Sequence, residues 1–174
     1  YWLERLHTSM NTHRGAFLQK AVFFLGSSVD FRLSEMEQSL STNDYHPEHL
    51  VEMYPARYRA WRDRSEHPDL VRAVYLVQER EGHHFFRFDL ENKVLLEEQQ
   101  GEDLDSIRKW LFEPSTATFT GLPPLILPGP KTEEGGLDCL VLLLDEAVFV
   151  NDLLPQAAVT ARETFAVDLD VDAR

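Results

Sequence analysis

The stretch LVRAVYLVQEREGHHFFRFDLENKVLLEE, Leu70 to Glu98, decides the architecture. Its three runs of β-branched, aromatic and aliphatic residues are Leu70 to Gln78, His83 to Leu90 and Lys93 to Glu98. The polar turns EREG and LENK separate them, which suits two hairpins and therefore an antiparallel meander. In the first run Val71, Ala73, Tyr75 and Val77 alternate with Leu70, Val74 and Leu76, so both faces are apolar and the strand belongs at the centre of a sheet. The second run divides cleanly, with His84, Phe86, Phe88 and Leu90 on one face and His83, Phe85, Arg87 and Asp89 on the other.

Downstream, GEDLDSIRKWLF carries acids in its first turn and groups Leu104, Ile107, Trp110 and Leu111 on one side, a helix-start signature. Glu113 to Gly136 is rich in Pro, Gly and Thr and reads as loop, with PLIL available as an edge strand. DCLVLLLD is a continuous apolar strand, as expected where both faces of a sheet are covered. EAVFVNDLLPQAAVTARETF is helical, with Pro155 imposing a kink or a break. The closing FAVDLDVD alternates Phe165, Val167, Leu169 and Val171 with Asp168, Asp170 and Asp172, and so predicts a half-buried strand.

Upstream, Pro47 to Arg64 has helical spacing, with Leu50, Tyr54, Tyr58 and Trp61 on one side and Pro55 expected to split it into two short helices. From Trp2 to about Leu40, Leu18, Val22, Leu25, Val29, Leu33, Met36 and Leu40 recur at alternating steps of four and three, predicting one long helix. A second stripe, Leu3, Met10, Phe17, Phe24 and Phe31, repeats every seven residues and offers a face for pairing with a second copy. The alternative, in which both stripes enter one broad core, stays open. The sum is an α+β domain over 1–174, with a leading helix over 1–40 packed on a mainly antiparallel sheet with flanking helices over 41–174.

A chain of 174 residues favours one domain. Its formal charge of −13 falls almost entirely on Asp89 to Arg174, a surface that repels phosphate backbones and argues against a nucleic-acid partner. Arg57, Arg59, Arg62 and Arg64 form a local basic spot that reads as a solvated helix face. The single Cys139 lies in an apolar run, so it reads as a buried small hydrophobe and suits oxidising and reducing compartments alike. No window approaches the roughly 20 apolar residues that span a bilayer. The opening pair Tyr1-Trp2 is what is expected just outside a membrane-spanning helix, with an ordinary domain boundary as the alternative.

Catalytic chemistry finds little purchase. His46 and His49 have the i, i+3 reach of a helical metal pair but no third ligand at a recognisable spacing, and the adjacent His83 and His84 point to opposite faces of a strand. Asp168, Asp170 and Asp172 lack the glycine turn and the later bidentate acid of a calcium loop. Ser27 and Ser28 sit in a helical pattern and not at a strand-to-helix elbow, and GPKTEEGG places its lysine wrongly for a phosphate loop. The expectation is a domain with no cofactor, metal or catalytic residue of its own. Tyr75, Phe85, Arg87 and Asp89 have the aromatic and directed polar composition of a small-molecule pocket, with Arg87 suited to a carboxylate.

The long leading helix, the tract YRAWRDRSEHPDLVRAVYLVQ, the hairpin FFRFDLENKVLLEE and LVLLLDEAVFVNDLLPQ together resemble the extracytoplasmic sensor region of bacterial membrane-anchored histidine kinases, of the PAS-like or Cache-like kind. That resemblance implies flanking transmembrane helices, a homodimer through the N-terminal helix, a cytoplasmic kinase as the output, and a ligand cluster that only Tyr75, Arg87 and Asp89 match. Two other classes compete with it. One is a soluble hydrolase or transferase fragment using His46, His49, His83 or His84; the other is a cytosolic ligand-binding regulatory module built on the same sheet.

Overall fold

A computed structural model of the chain describes residues 15–79, 82–112, 122–131 and 137–172. In chain order the elements are α1 (Gly15–Leu40), α2 (Pro47–Arg62), β1 (Val71–Glu79), β2 (His83–Asp89), β3 (Val94–Glu98), α3 (Glu102–Phe112), β4 (Leu125–Lys131), β5 (Leu137–Leu144), a single turn α4 (Glu146–Val148), a π-helical turn (Phe149–Leu153) and α5 (Leu154–Asp172). The strands form one antiparallel sheet in the order β3-β2-β1-β5-β4. The α+β class with helices beside an antiparallel sheet is therefore what the chain adopts.

β1 occupies the middle of the sheet, and its apolar two-facedness explains why: a strand with a buried row on each side is stable only with cover above and below. Tyr75, Leu76 and Val77 are all buried, as are Leu140, Val141 and Leu142 of the neighbouring β5. One face packs under α3, where Leu104 and Ile107 join Tyr75, Val77, Phe85, Cys139, Val141 and Leu143 in a single core. On the opposite face the Tyr54 ring of α2 lies 5.5 Å from that of Phe88. The PLIL segment is indeed an edge strand, β4. Its Gly129 has no room for a side chain, because a Cβ there would collide with the Asp138 carbonyl and press on the Tyr45 ring.

The hairpin turns obey ordinary turn chemistry. Between β1 and β2, Gly82 takes a φ of 132°, which a side chain would oppose. Between β2 and β3 the Asp89 carboxylate accepts the backbone N–H groups of Glu91 and Asn92 at 3.2 and 2.9 Å, and Lys93 sits in the left-handed region. Within β1 the pairing with β5 steps from Ala73↔Leu143 to Val71↔Leu144, leaving Arg72 as an extra residue.

Two sequence expectations are corrected. Pro55 does not split its helix: α2 runs unbroken from Pro47 to Arg62 with Pro55 buried inside it. One missing backbone bond is outweighed there by a stripe, Leu50, Tyr54 and Trp61, that is buried on both sides of the proline. FAVDLDVD is not a strand but the last part of α5. No Gly or Pro stands between Pro155 and Asp172 to stop the helix, which satisfies its own backbone whereas a strand needs a neighbour. Pro155 is the second residue of α5, where its missing N–H is harmless, and the π-helical turn immediately precedes it.

The chain divides into two compact units. Glu37–Val148 contains the whole sheet, while α1 up to Met36, the π-helical turn and α5 make the other. In the helical unit Met36, Phe149, Leu153, Ala157 and Ala161 are buried. The α1 stripe of Leu25, Val29, Leu33 and Met36 is half-buried to buried, whereas Phe23 and Phe31 are 60% and 64% exposed. Leu3 and Met10 lie outside the described residues. Among those residues no helix is long and apolar enough to cross a membrane.

Candidate functional site

The polar chemistry of the sheet gathers around Tyr75. Its position at the middle of the central strand buries the ring, and its hydroxyl emerges where β3 and the first turn of α3 meet. There it donates to Glu98 Oε2 at 3.1 Å and lies 3.5 Å from Asp103 Oδ2. Asp103 is held by both terminal nitrogens of Arg72, at 3.1 and 2.6 Å. The bulge carries this contact: an in-register residue 72 would share the opposite face with Val74 and Leu76, and the extra residue re-aims the guanidinium toward α3. Arg87, directly across from Tyr75 on β2, approaches Glu98 at 3.9 Å and keeps about half of its side chain in water.

The result is a row in which two carboxylates, Asp103 and Glu98, are bridged by a neutral phenol and flanked by an arginine at each end, Arg72 and Arg87. Burial pushes the Tyr75 phenol well above its usual range; the Glu98 and Asp103 carboxylates push the same way and Arg87 opposes them. The bond to Asp103 raises the Arg72 pKa further. This row and the far end of α3 together latch the helix to the sheet. At that far end the Arg108 guanidinium lies 4.9 Å from the Phe85 ring centroid and donates to the Gln99 carbonyl, and His83 stacks on Phe112 with centroids 3.8 Å apart.

Of the four pocket residues inferred from sequence, the structure brings Tyr75 and Arg87 together through Glu98. Phe85 is 2% exposed and belongs to the core beneath α3. Asp89 serves the β2–β3 turn, where bonds from the Asn92 backbone and side chain lead in holding its carboxyl below the usual range. Glu98, Asp103 and Arg72 were missed. Glu98 could have been found by extending the hairpin register from Tyr75 across β2 to β3, and Asp103 from the acidic first turn of α3. Nothing in the sequence announces the bulge that swings Arg72 into place.

The other candidate groups are dispersed. His49 Nδ1 meets Asp44 Oδ2 at 2.7 Å, and Asp44 also accepts the His46 backbone N–H at the entrance to α2. His83 and His84 do face opposite ways, His84 reaching Glu97 at 3.0 Å. Among the described residues no three His, Cys, Asp or Glu are grouped to hold a metal ion. Cys139 is buried, and desolvation with help from Asp138 and Glu79 pushes its thiol up to about 12, which suppresses the nucleophilic thiolate. In the arginine cluster Arg57 donates to the Ser41 carbonyl, Arg62 pairs with Asp69 at 2.8 Å and Arg64 donates to the Ala60 carbonyl.

No family model, curated protein or solved structure matches this chain.

Proposed function

We propose that this chain is the signal-input domain of a bacterial membrane-anchored sensor histidine kinase, extracytoplasmic and dimerising through its first helix. The observation that carries the reading is the exposure of Phe23 and Phe31 on one side of α1, opposite the Val29, Leu33 and Met36 stripe. Large aromatic side chains left in water along a long helix suit a helix partner, and α1 is the element through which such a domain would pass a signal. Phe24 and Phe17 of the seven-residue stripe lie on the same helix. The input end of the proposal is Arg87, whose guanidinium is half in water beside the long contact to Glu98, so that a small acid could take the place of that carboxylate.

The deciding experiment is sedimentation of the chain and of Phe31→Glu. Self-association that weakens at least tenfold in the variant, with an unchanged circular dichroism spectrum, supports the proposal; a chain that is monomeric up to millimolar concentration, or a variant that associates equally well, overturns the helix pairing. The membrane part of the proposal requires a hydrophobic span of about 20 residues encoded on each side of this segment. A thermal-shift screen of small carboxylic acids addresses the input. A ligand at 100 times its dissociation constant raises stability by about 2.7 kcal/mol, and Arg87→Ala should abolish the shift.

A further inference from the structure

The exposed side of α2 carries chemistry that neither the Tyr75 row nor the α1 contact uses. Leu50, Tyr54 and Trp61 are buried on one side of this helix, while His46, His49 and Met53, spaced by three and then four residues, stand together on the other. Met53 is 63% exposed, which leaves its thioether open to solvent. His46 occupies the N-cap position, yet its ring makes no capping bond. The His46 and His49 ring centroids lie 5.1 Å apart. Two imidazoles bound through nitrogen to one metal at about 2.0 Å, with a near-tetrahedral angle between them, have centroids roughly 5 Å apart, so the pair already has the spacing of a shared ion. Asp44 prepares the second ring. The His46 backbone N–H, and after it the His49 side chain, hold the Asp44 carboxyl below the usual range, so it stays ionised and can only accept. His49 Nδ1, 2.7 Å away, therefore carries a proton, and in the neutral ring the Nε2 lone pair is left for a metal.

We infer that His46, His49 and Met53 form a binding site for monovalent copper. The donors are two imidazoles and a thioether, all uncharged. A thioether is a soft ligand that selects Cu(I), whereas Mg(II) and Ca(II) want oxygen and Zn(II) takes nitrogen, thiolate or carboxylate. Acids and histidines alone do not complete a site here, and the methionine one turn beyond His49 supplies what they lack. Arg57, a further turn along the helix, donates to the Ser41 carbonyl. The site stands whether or not the chain is a sensor, since its ligands lie on α2 and none belongs to the Arg87 contact or to the α1 stripe.

The test is a titration of the whole chain with Cu(I), kept reduced by ascorbate without oxygen, against a chromogenic Cu(I) chelator, with Zn(II) titrated in parallel. His7, Met10 and His13 give the sequence a second triplet of the same donors, so every measurement is made in a His7→Ala, His13→Ala background. The expected result is one tightly bound Cu(I) per chain, held roughly tenfold more weakly or worse after His46→Ala, His49→Ala or Met53→Leu, with an unchanged circular dichroism spectrum. Met53→Leu should leave Zn(II) affinity as it was and remove sulfur from the copper X-ray absorption spectrum. Absence of bound Cu(I) in this background, a Met53→Leu chain that binds Cu(I) as tightly as its parent, or a Zn(II) affinity that falls as far as that for Cu(I) in this variant would each overturn the site.

Discussion

The two faces of the sheet use tyrosine in opposite ways. On the side toward α2, Tyr58 donates its hydroxyl to the Val71 carbonyl, Tyr54 stacks on Phe88 and has a buried hydroxyl with no hydrogen-bond partner among the described residues, and Tyr45, just before α2, donates to the carbonyls of Leu127 and Pro128. On the side toward α3, Tyr75 spends its hydroxyl on carboxylates that arginines hold in place. Backbone carbonyls are fixed acceptors that no ligand or proton can remove. Carboxylates with half-exposed arginine partners can be competed for. The first face is thus a support and the second is a surface whose polar contacts can be rearranged without dismantling the core.

Truncation of the supporting face is the strongest way to break this contrast. Tyr54→Ala removes a ring that is 1% exposed and should destabilise by about 3 to 5 kcal/mol, read from urea unfolding. The sharper comparison needs only one oxygen. Tyr75→Phe should lower stability by about 1 kcal/mol, a charge-assisted bond discounted for the partly exposed carboxylates, whereas Tyr54→Phe should leave stability unchanged or raise it, because that hydroxyl is buried without a partner among the described residues. Equal losses from the two substitutions would erase the distinction between the faces.

Alkaline titration gives a smaller effect at ordinary pH but a clear direction. Tyr45, Tyr54, Tyr58 and Tyr75 all have phenols raised by burial, Tyr45 to about 12. A folded pKa above the unfolded value of 10.0 means that the fold favours the neutral phenol. That stability is fully present below pH 10 and is lost as pH rises through the folded values, because the unfolded chain releases its protons first. Urea midpoints should therefore be flat approaching pH 10 and fall above it, with a shallower fall in Tyr75→Phe. Phenolate absorbance of the folded chain should show most of its five tyrosines resisting ionisation beyond pH 10.

The same contrast accounts for what could be read in advance. β1 and β5 were legible because burial on two faces fills Val74 to Val77 and Cys139 to Leu144 with unbroken runs of apolar and aromatic residues, and the hairpins because EREG and LENK leave the chain few other options. α3 was legible from its acidic first turn and its apolar side. The errors share one cause: a local pattern was allowed to outvote its surroundings. The alternation in FAVDLDVD is real, but an uninterrupted helix arriving from Gln156 carries the backbone through it. Pro55 lacks an N–H, yet the buried residues on either side hold one helix. At the site, Tyr75 and Arg87 were visible as residue types in register. Glu98 and Asp103 come from other elements and become partners only after the strands pair and α3 folds back.

The surplus residue in β1 bears on how this chain can change its length over evolution. A one-residue deletion within a paired strand ordinarily turns every residue beyond it to the wrong side of the sheet. At Arg72 it would not, since Ala73 already faces Leu143 and Val71 already faces Leu144. Removing it would regularise the ladder and leave both hairpins intact, and the loss would fall on Asp103 and through it on α3. Homologous chains one residue shorter at this point should therefore keep the sheet while losing the acid in the first turn of the following helix, a covariation that aligned sequences would reveal.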